Sequence, residues 1–204
     1  MIKHTLVAVG LVGAVVAGSQ VDAGRSMTPP PTIAEIVASS GGNFDHNRND
    51  FDLLSIALET AELTEALNDP DATLTVFAPD DWAFFLLAKD LGYPLYDELG
   101  AWLFLVDQLT ELGNGDPIPV LTDVLLYHVS PSTLNSRDIN NLFRNGGTIP
   151  TLLAGAEITP RRSGRLEDLA PRVIDPYMKG PYNVPASNGI IHPISRVLIP
   201  ADLP

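Results

Sequence analysis

Cysteine is absent from the 204-residue chain. That excludes disulfides, thiol nucleophiles and thiolate metal sites together, and leaves the hydrophobic core to hold the fold. Histidine is scarce, with four in the chain, and no two stand at His-x₃-His or a similar spacing. No Gly-x-Ser-x-Gly turn is present to display a serine nucleophile, and no Arg-Gly-Asp occurs. Bases are outnumbered, twelve Lys and Arg against twenty-five Asp and Glu, for a net charge of −13. Such a balance lacks the basic footprint that nucleic acid demands. Beyond the N-terminus, no apolar run approaches the ~20 residues of a membrane-spanning helix, so no span is expected in the mature chain.

What is present suffices for a folded domain. The chain is 45% hydrophobic and 18% charged, which is not the composition of a disordered segment. Residues 1–23 have the layout of a secretory signal peptide: Lys3 and His4, an apolar Gly/Ala-rich run, then small residues at Val21-Asp22-Ala23. An uncleaved N-terminal anchor is the competing reading. Residues 24–31 form a Pro-rich linker, and a domain is expected over 32–200. The localisation that follows is secreted, periplasmic or attached to the cell surface.

Charge is unevenly spread. Seventeen acids face only Arg48 and Lys89 between Phe44 and Asp123, whereas eight bases face five acids between Arg137 and Arg196. The acidic half reads as a solvated face, or more weakly as a surface that divalent cations bridge.

Local patterns give the elements. Thr32 with Glu35 forms a capping box ahead of Ile33, Ile36 and Val37. Apolar residues recur at helical spacing over Phe51–Leu67, with Asp50 as cap. Leu74–Ala78 reads as a buried strand that Pro79 ends, after which Asp80 caps a helix over Trp82–Ala88. Another helix is expected around Val120–Leu126. Past Pro131, glycines punctuate short apolar runs, which predicts a string of short strands. Helices first and strands later imply an α+β domain with a largely antiparallel sheet.

Three segments, "LTVFAPDDWAF", "LLYHV" and "ASNGIIHPISRVLIP", resemble the signature segments of the fasciclin domain, in the same order and at similar separations. The resemblance spans about Thr32 to Pro200. It implies an α+β wedge, N-terminal helices packed on a twisted and mostly antiparallel sheet region. It further implies an adhesion or extracellular-matrix module, binding a cell-surface or matrix protein or a polysaccharide, with no catalytic activity and no cofactor.

His192, among Ile190, Ile191, Ile194, Val197 and Leu198, is read as a core brace, since neither metal-ligand nor nucleophile partners are available to it. Asp80, Asn188 and Gly189 are likewise structural, the last two as a turn entering the final strand. Pro193 has no N–H to give a ladder, so the strand should be bulged there or lie at an edge. For Tyr127 and His128 two readings stand. In matrix members of the family the corresponding Tyr-His segment is implicated in integrin binding; alternatively, Tyr127 packs in the core with its hydroxyl paired. The family's Asp-Ile element is replaced here by Asn183 and Val184, so its carboxylate is missing. "DHNRND" (Asp45–Asp50) resembles the start of a calcium loop, but Asp50 and Ile56 stand where such a loop needs glycine and glutamate. It is read as a polar loop, and no metal site is assigned.

The segment near 92–117 is longer than the family's usual connection. Glu98–Leu112 plots as an amphipathic helix with Leu99, Trp102, Leu103, Val106 and Leu109 on one face and Phe104 opposite. Either that face is buried, or it makes a groove in which Tyr93, Tyr96, Trp102 and Phe104 anchor a partner. A soluble carrier of a small apolar ligand, with this helix as its lid, is the alternative function.

Overall fold

Four of the α-helices among the described residues begin where a side chain answers their free N–H groups. In a computed structural model, which describes residues 29–201 apart from 42, 43, 46, 96, 172 and 173, α1 (Ile33–Ala38) opens on the Thr32–Glu35 capping box. The expected signal peptide, most of the linker and Tyr96 lie outside the described residues. Helix α2 (Asp52–Thr60) has no side-chain cap, since its N-cap is Phe51 and Asp50 bonds no backbone N–H there. The single helix expected over Phe51–Leu67 is two. Glu62 takes a left-handed φ of 57°, and α3 (Thr64–Asn68) starts afresh. The apolar spacing continues across this break, which is why periodicity does not reveal it.

Strand β1 (Leu74–Pro79) runs directly into α4 (Asp81–Asp90) through Asp80, whose carboxylate accepts the Ala83 N–H at 3.0 Å. The same buried carboxylate is paired with Lys179. Helix α5 (Glu98–Leu112) is capped by Asp97, and α6 (Ile118–Tyr127) follows. Gly100 in the first turn of α5 admits the Tyr93 hydroxyl, which a Cβ would meet at 1.8 Å. That hydroxyl donates to the Asp97 carboxylate at 2.7 Å.

After β2 (Val129–Ser130) comes α7 (Ser136–Asn145), in a region expected to be strands only. Its start is an Asn135–Asp138 capping box, and Gly146 ends it in the left-handed region. The remaining elements are short strands: β3 (Ile149–Pro150), β4 (Glu157–Pro160), β5 (Leu166–Glu167), β6 (Val184–Ala186) and β7 (Gly189–Ile194).

Two sheets result, one ordered β2-β1-β7-β6 and the other β3-β4-β5. All pairings are antiparallel except the longest, β1 with β7, which is parallel. Pro193 sits opposite Ala78, past the point where β6 ends its pairing at Ile191, so its missing N–H costs no ladder bond on that side. The fold is thus α+β. Its main core lies between α1, α2, α4–α6 and one face of the larger sheet, around Ile33, Leu53, Val76, Phe84 and Ile191. A second core, around Phe77, Tyr127, Ile149, Ile158 and Leu198, joins the two sheets. Among the described residues no helix is long and apolar enough to cross a membrane.

Candidate functional site

Tyr127, His128, Asn188 and His192 of the signature segments are buried. Tyr127 is fully buried, its hydroxyl donating to the Glu157 carbonyl at 3.1 Å, and burial raises its pKa well above the ordinary value. His128 is 2% exposed. Its Nδ1 lies 2.7 Å from the Val124 carbonyl, and its Nε2 accepts the Leu198 N–H at 2.9 Å. One tautomer satisfies both contacts: neutral imidazole protonated at Nδ1. Burial pushes the ring's pKa down to about 4. Neither side chain offers a face to a partner, which sets the buried position against the integrin-like use that the resemblance implies.

His192 uses the opposite tautomer. Its Nε2 lies 2.8 Å from the Leu134 carbonyl, and its ring stacks on Phe77 at 5.7 Å between centroids. Burial lowers its pKa as well. Asn183, standing where the family's carboxylate would be, adopts a left-handed φ of 62° and bonds Ser136 through both ends of its amide, at 2.6 and 2.9 Å. It is tied to the start of α7. Asn188 is similarly engaged: it accepts the Ile33 N–H and donates to the Leu67 and Asp69 carbonyls. Gly189 lies so close to β1 that a Cβ would stand 2.1 Å from the Leu74 carbonyl oxygen.

Helix α5 occupies its expected span, but its faces are rotated. Ala101, Trp102 and Leu105 are buried, whereas Leu99 and Leu103 are 49% and 59% exposed. With the loop residue Leu95 they form an outward row at i, i+4 and i+8. Phe104, expected on the polar side, is half-buried against Tyr93 at 5.4 Å. The inner side would be the lid of a carrier. The apolar gap there, lined by Phe84, Trp102, Leu105, Leu121 and Val197 among others, is about 60 Å³. Small-molecule sites usually offer about 300–1,000 Å³, so the gap holds no lipid-sized ligand in this conformation.

The roomy concavities lie elsewhere, on the basic half. One cleft of about 370 Å³ is lined by Arg137, Asn140, Arg161, Ser163 and Tyr182 with their neighbours. A second, of about 490 Å³, shares Arg161 and Ser163 and adds Arg162, Arg165 and Tyr177. Tyr177 and Tyr182 are each about half exposed. Arg161 pairs with Glu167, and Arg165 lies 3.8 Å from Asp175. Among the described residues, Arg137 and Arg162 have no ion-pair partner. The arrangement can hold an anionic group between guanidinium forks beside aromatic faces. In the sequence the cleft shows as a local excess of bases, concentrated in the run Arg161-Arg162-Ser163-Gly164-Arg165 in the turn between β4 and β5.

Comparison with known proteins fits this architecture. The model of the Fasciclin domain family matches residues 49–200. A Synechocystis protein, sll1483, is 28% identical over 169 residues, covering 83% of this chain and 73% of its own length. Among solved structures, a FAS1 domain pair from the insect cell adhesion molecule fasciclin I superposes with a TM-score of 0.57 at 18% identity. The match takes in 84% of this chain and 51% of that one, so the chain spans about half the length of the pair.

Proposed function

This chain belongs to the fasciclin domain family, and on that footing we propose that it is a non-catalytic adhesion module. It acts outside the cytoplasm, at the cell surface or in its matrix, and its contact is the arginine–tyrosine cleft described above. Family membership supports an adhesive, extracellular role in general. The specific reading is carried by one observation: the side chains capable of chemistry, His128 and His192, are buried against backbone groups, while solvent meets Arg137, Arg161, Arg162, Tyr177 and Tyr182. Arginine and tyrosine are the residues that interfaces favour and that carry most of their binding energy. In a chain of net charge −13 they make the basic exception, which suits a partner bearing carboxylate, sulfate or phosphate groups on a surface polysaccharide or protein.

The double charge reversal Arg137→Glu, Arg162→Glu tests this. Binding of the purified protein to cell envelopes and to an immobilised acidic polysaccharide such as alginate is expected to weaken by about 100-fold, roughly tenfold per site. Thermal unfolding should be unchanged, because neither arginine has an ion-pair partner to lose among the described residues. Equal binding by parent and variant would overturn the cleft as the contact. A parent that bound neither envelopes nor polysaccharide would overturn the adhesive reading.

A further inference from the structure

Carboxylates rarely enter a protein interior without a cation or a hydrogen-bond donor to meet them. Three buried aspartates here, with the exposed Asp45 beside them, come together with too few donors. Asp50, Asp52 and Asp81 are 3%, 8% and 1% exposed. Both oxygens of Asp50, Oδ2 of Asp52 and Oδ2 of Asp81 have no hydrogen-bond partner among the described residues. Carboxylate oxygens of Asp45, Asp50 and Asp52 lie within 4.8 Å of one another, and so do those of Asp52, Asp81 and Glu98, with Asp52 common to both groups. Asp50 and Asp52 converge over Gly41, where a Cβ would stand 2.3 Å from Asp50 Oδ2 and 2.7 Å from Asp52 Oδ1. A side chain at position 41 would crowd these oxygens.

We propose that Asp45, Asp50, Asp52 and Asp81, with Glu98 beside them, form a binding site for one hard divalent cation, calcium by preference. Calcium holds its oxygen ligands at about 2.3–2.6 Å, so two ligands on one ion are at most about 5 Å apart, which is the spread of the oxygens within each of the two groups that Asp52 joins. Every donor in the group is a carboxylate oxygen; zinc would ask for nitrogen or sulfur. Magnesium demands a tight octahedron and keeps its waters, which suits a buried, irregular set less well.

Helices contribute as well. Asp52, Asp81 and Glu98 are the first residues of α2, α4 and α5, so the ion would fasten three helix N-termini to one point. The helix dipoles favour the carboxylates there, but their partial charges, about +0.5 each, do not balance the anions gathered between them. This inference is independent of the adhesive reading, since the cluster lies on the acidic half and shares no residue with the arginine cleft.

Two measurements on the purified protein test it. In about 10 mM calcium, relative to EDTA, the parent should melt on the order of 5 °C higher, with a smaller shift in magnesium. Terbium should give tryptophan-sensitised emission that calcium displaces. Asp50→Asn and Asp52→Asn should abolish both effects. In EDTA these variants should melt no lower than the parent, because each removes a like charge from a crowded site. A parent whose melting ignores calcium and whose terbium emission calcium cannot displace would overturn the site. So would asparagine variants that keep the calcium shift; the carboxyls would then be held by shared protons.

Discussion

Asn188→Asp is expected to destabilise the protein by about 4 kcal/mol or more, although it alters one terminal atom group and leaves no cavity. The parent amide is 2% exposed and gives both N–H bonds away, to the Leu67 carbonyl at 2.8 Å and the Asp69 carbonyl at 2.9 Å. Its oxygen accepts the Ile33 N–H at 2.9 Å. One side chain thereby ties the start of α1, the end of α3 and the entry to β7. A carboxylate keeps the acceptor, but it then faces two carbonyl oxygens with nothing to donate, in a site closed to water. For a domain of this size the melting temperature should fall by about 8–16 °C. Acid should restore part of the loss, because a protonated carboxyl regains one donor. The sign follows from linkage: the folded state raises this carboxyl's pKa, so the variant gains stability as pH falls through that range. Thermal melts at pH 7.5 and pH 4.5 check both points. An Asn188→Asp protein melting within a degree or two of the parent at pH 7.5 would show that the three bonds do not matter.

The second large effect is a stability that His128 confers only above mild acidity. With its folded pKa at about 4 against an ordinary 6.5, the imidazole binds its proton less readily in the folded state. Its contribution is therefore complete above pH 6.5 and is lost progressively as pH falls toward 4. At about 1.36 kcal/mol per pH unit, the loss amounts to ~3 kcal/mol. The structural cause is definite: protonation puts a hydrogen on Nε2, which faces the Leu198 N–H 2.9 Å away. His128→Gln offers a donor and an acceptor but does not titrate. Asp168, raised by burial to about 6, acts in the opposite sense over nearly the same pH range. For that reason the difference between parent and variant is the quantity to follow. Urea denaturation should show the parent more stable at pH 7.5, by about 1–3 kcal/mol, with that advantage gone near pH 4. A difference constant from pH 7.5 to pH 4 would mean that the ring is not held neutral.

Much of the fold was legible because its punctuation is local. The Thr32–Glu35 box, the Asp80 cap and the span of α5 each depend on residues a few positions apart. Helix α7 was equally open to reading through Asn135 and Asp138, but the frequent glycines around it suggested strands throughout. The orientation of α5 was not legible. Apolar periodicity says that a helix has a face but not which way it turns: Leu99 and Leu103 are exposed, and Ala101 and Leu105 are buried. The aspartate cluster and the arginine cleft are only partly local: Asp45 and Asp50 share a loop that resembles the start of a calcium site, and Arg161, Arg162 and Arg165 share a turn, but their partners come from elsewhere in the chain. Asp52 and Asp81 are brought together only by packing of α2 on α4, and Tyr177 and Tyr182 reach Arg161 and Arg137 only once the loops around β4, β5 and β6 are folded.

The parallel ladder of β1 with β7 sets Leu74 beside Gly189 and Pro79 beside Ile194, partners 115 positions apart along the chain. Closing so long an intervening stretch costs entropy before any contact repays it, which makes this pairing a late event in folding. A chain emerging from its N-terminus has its helices long before it has the strand they cover. Until β7 has been made, Val76 and Phe77 keep an open edge, and the nascent molecule carries a strand able to accept a neighbour's. Completion of the larger sheet thus waits on a strand made long after the one it joins.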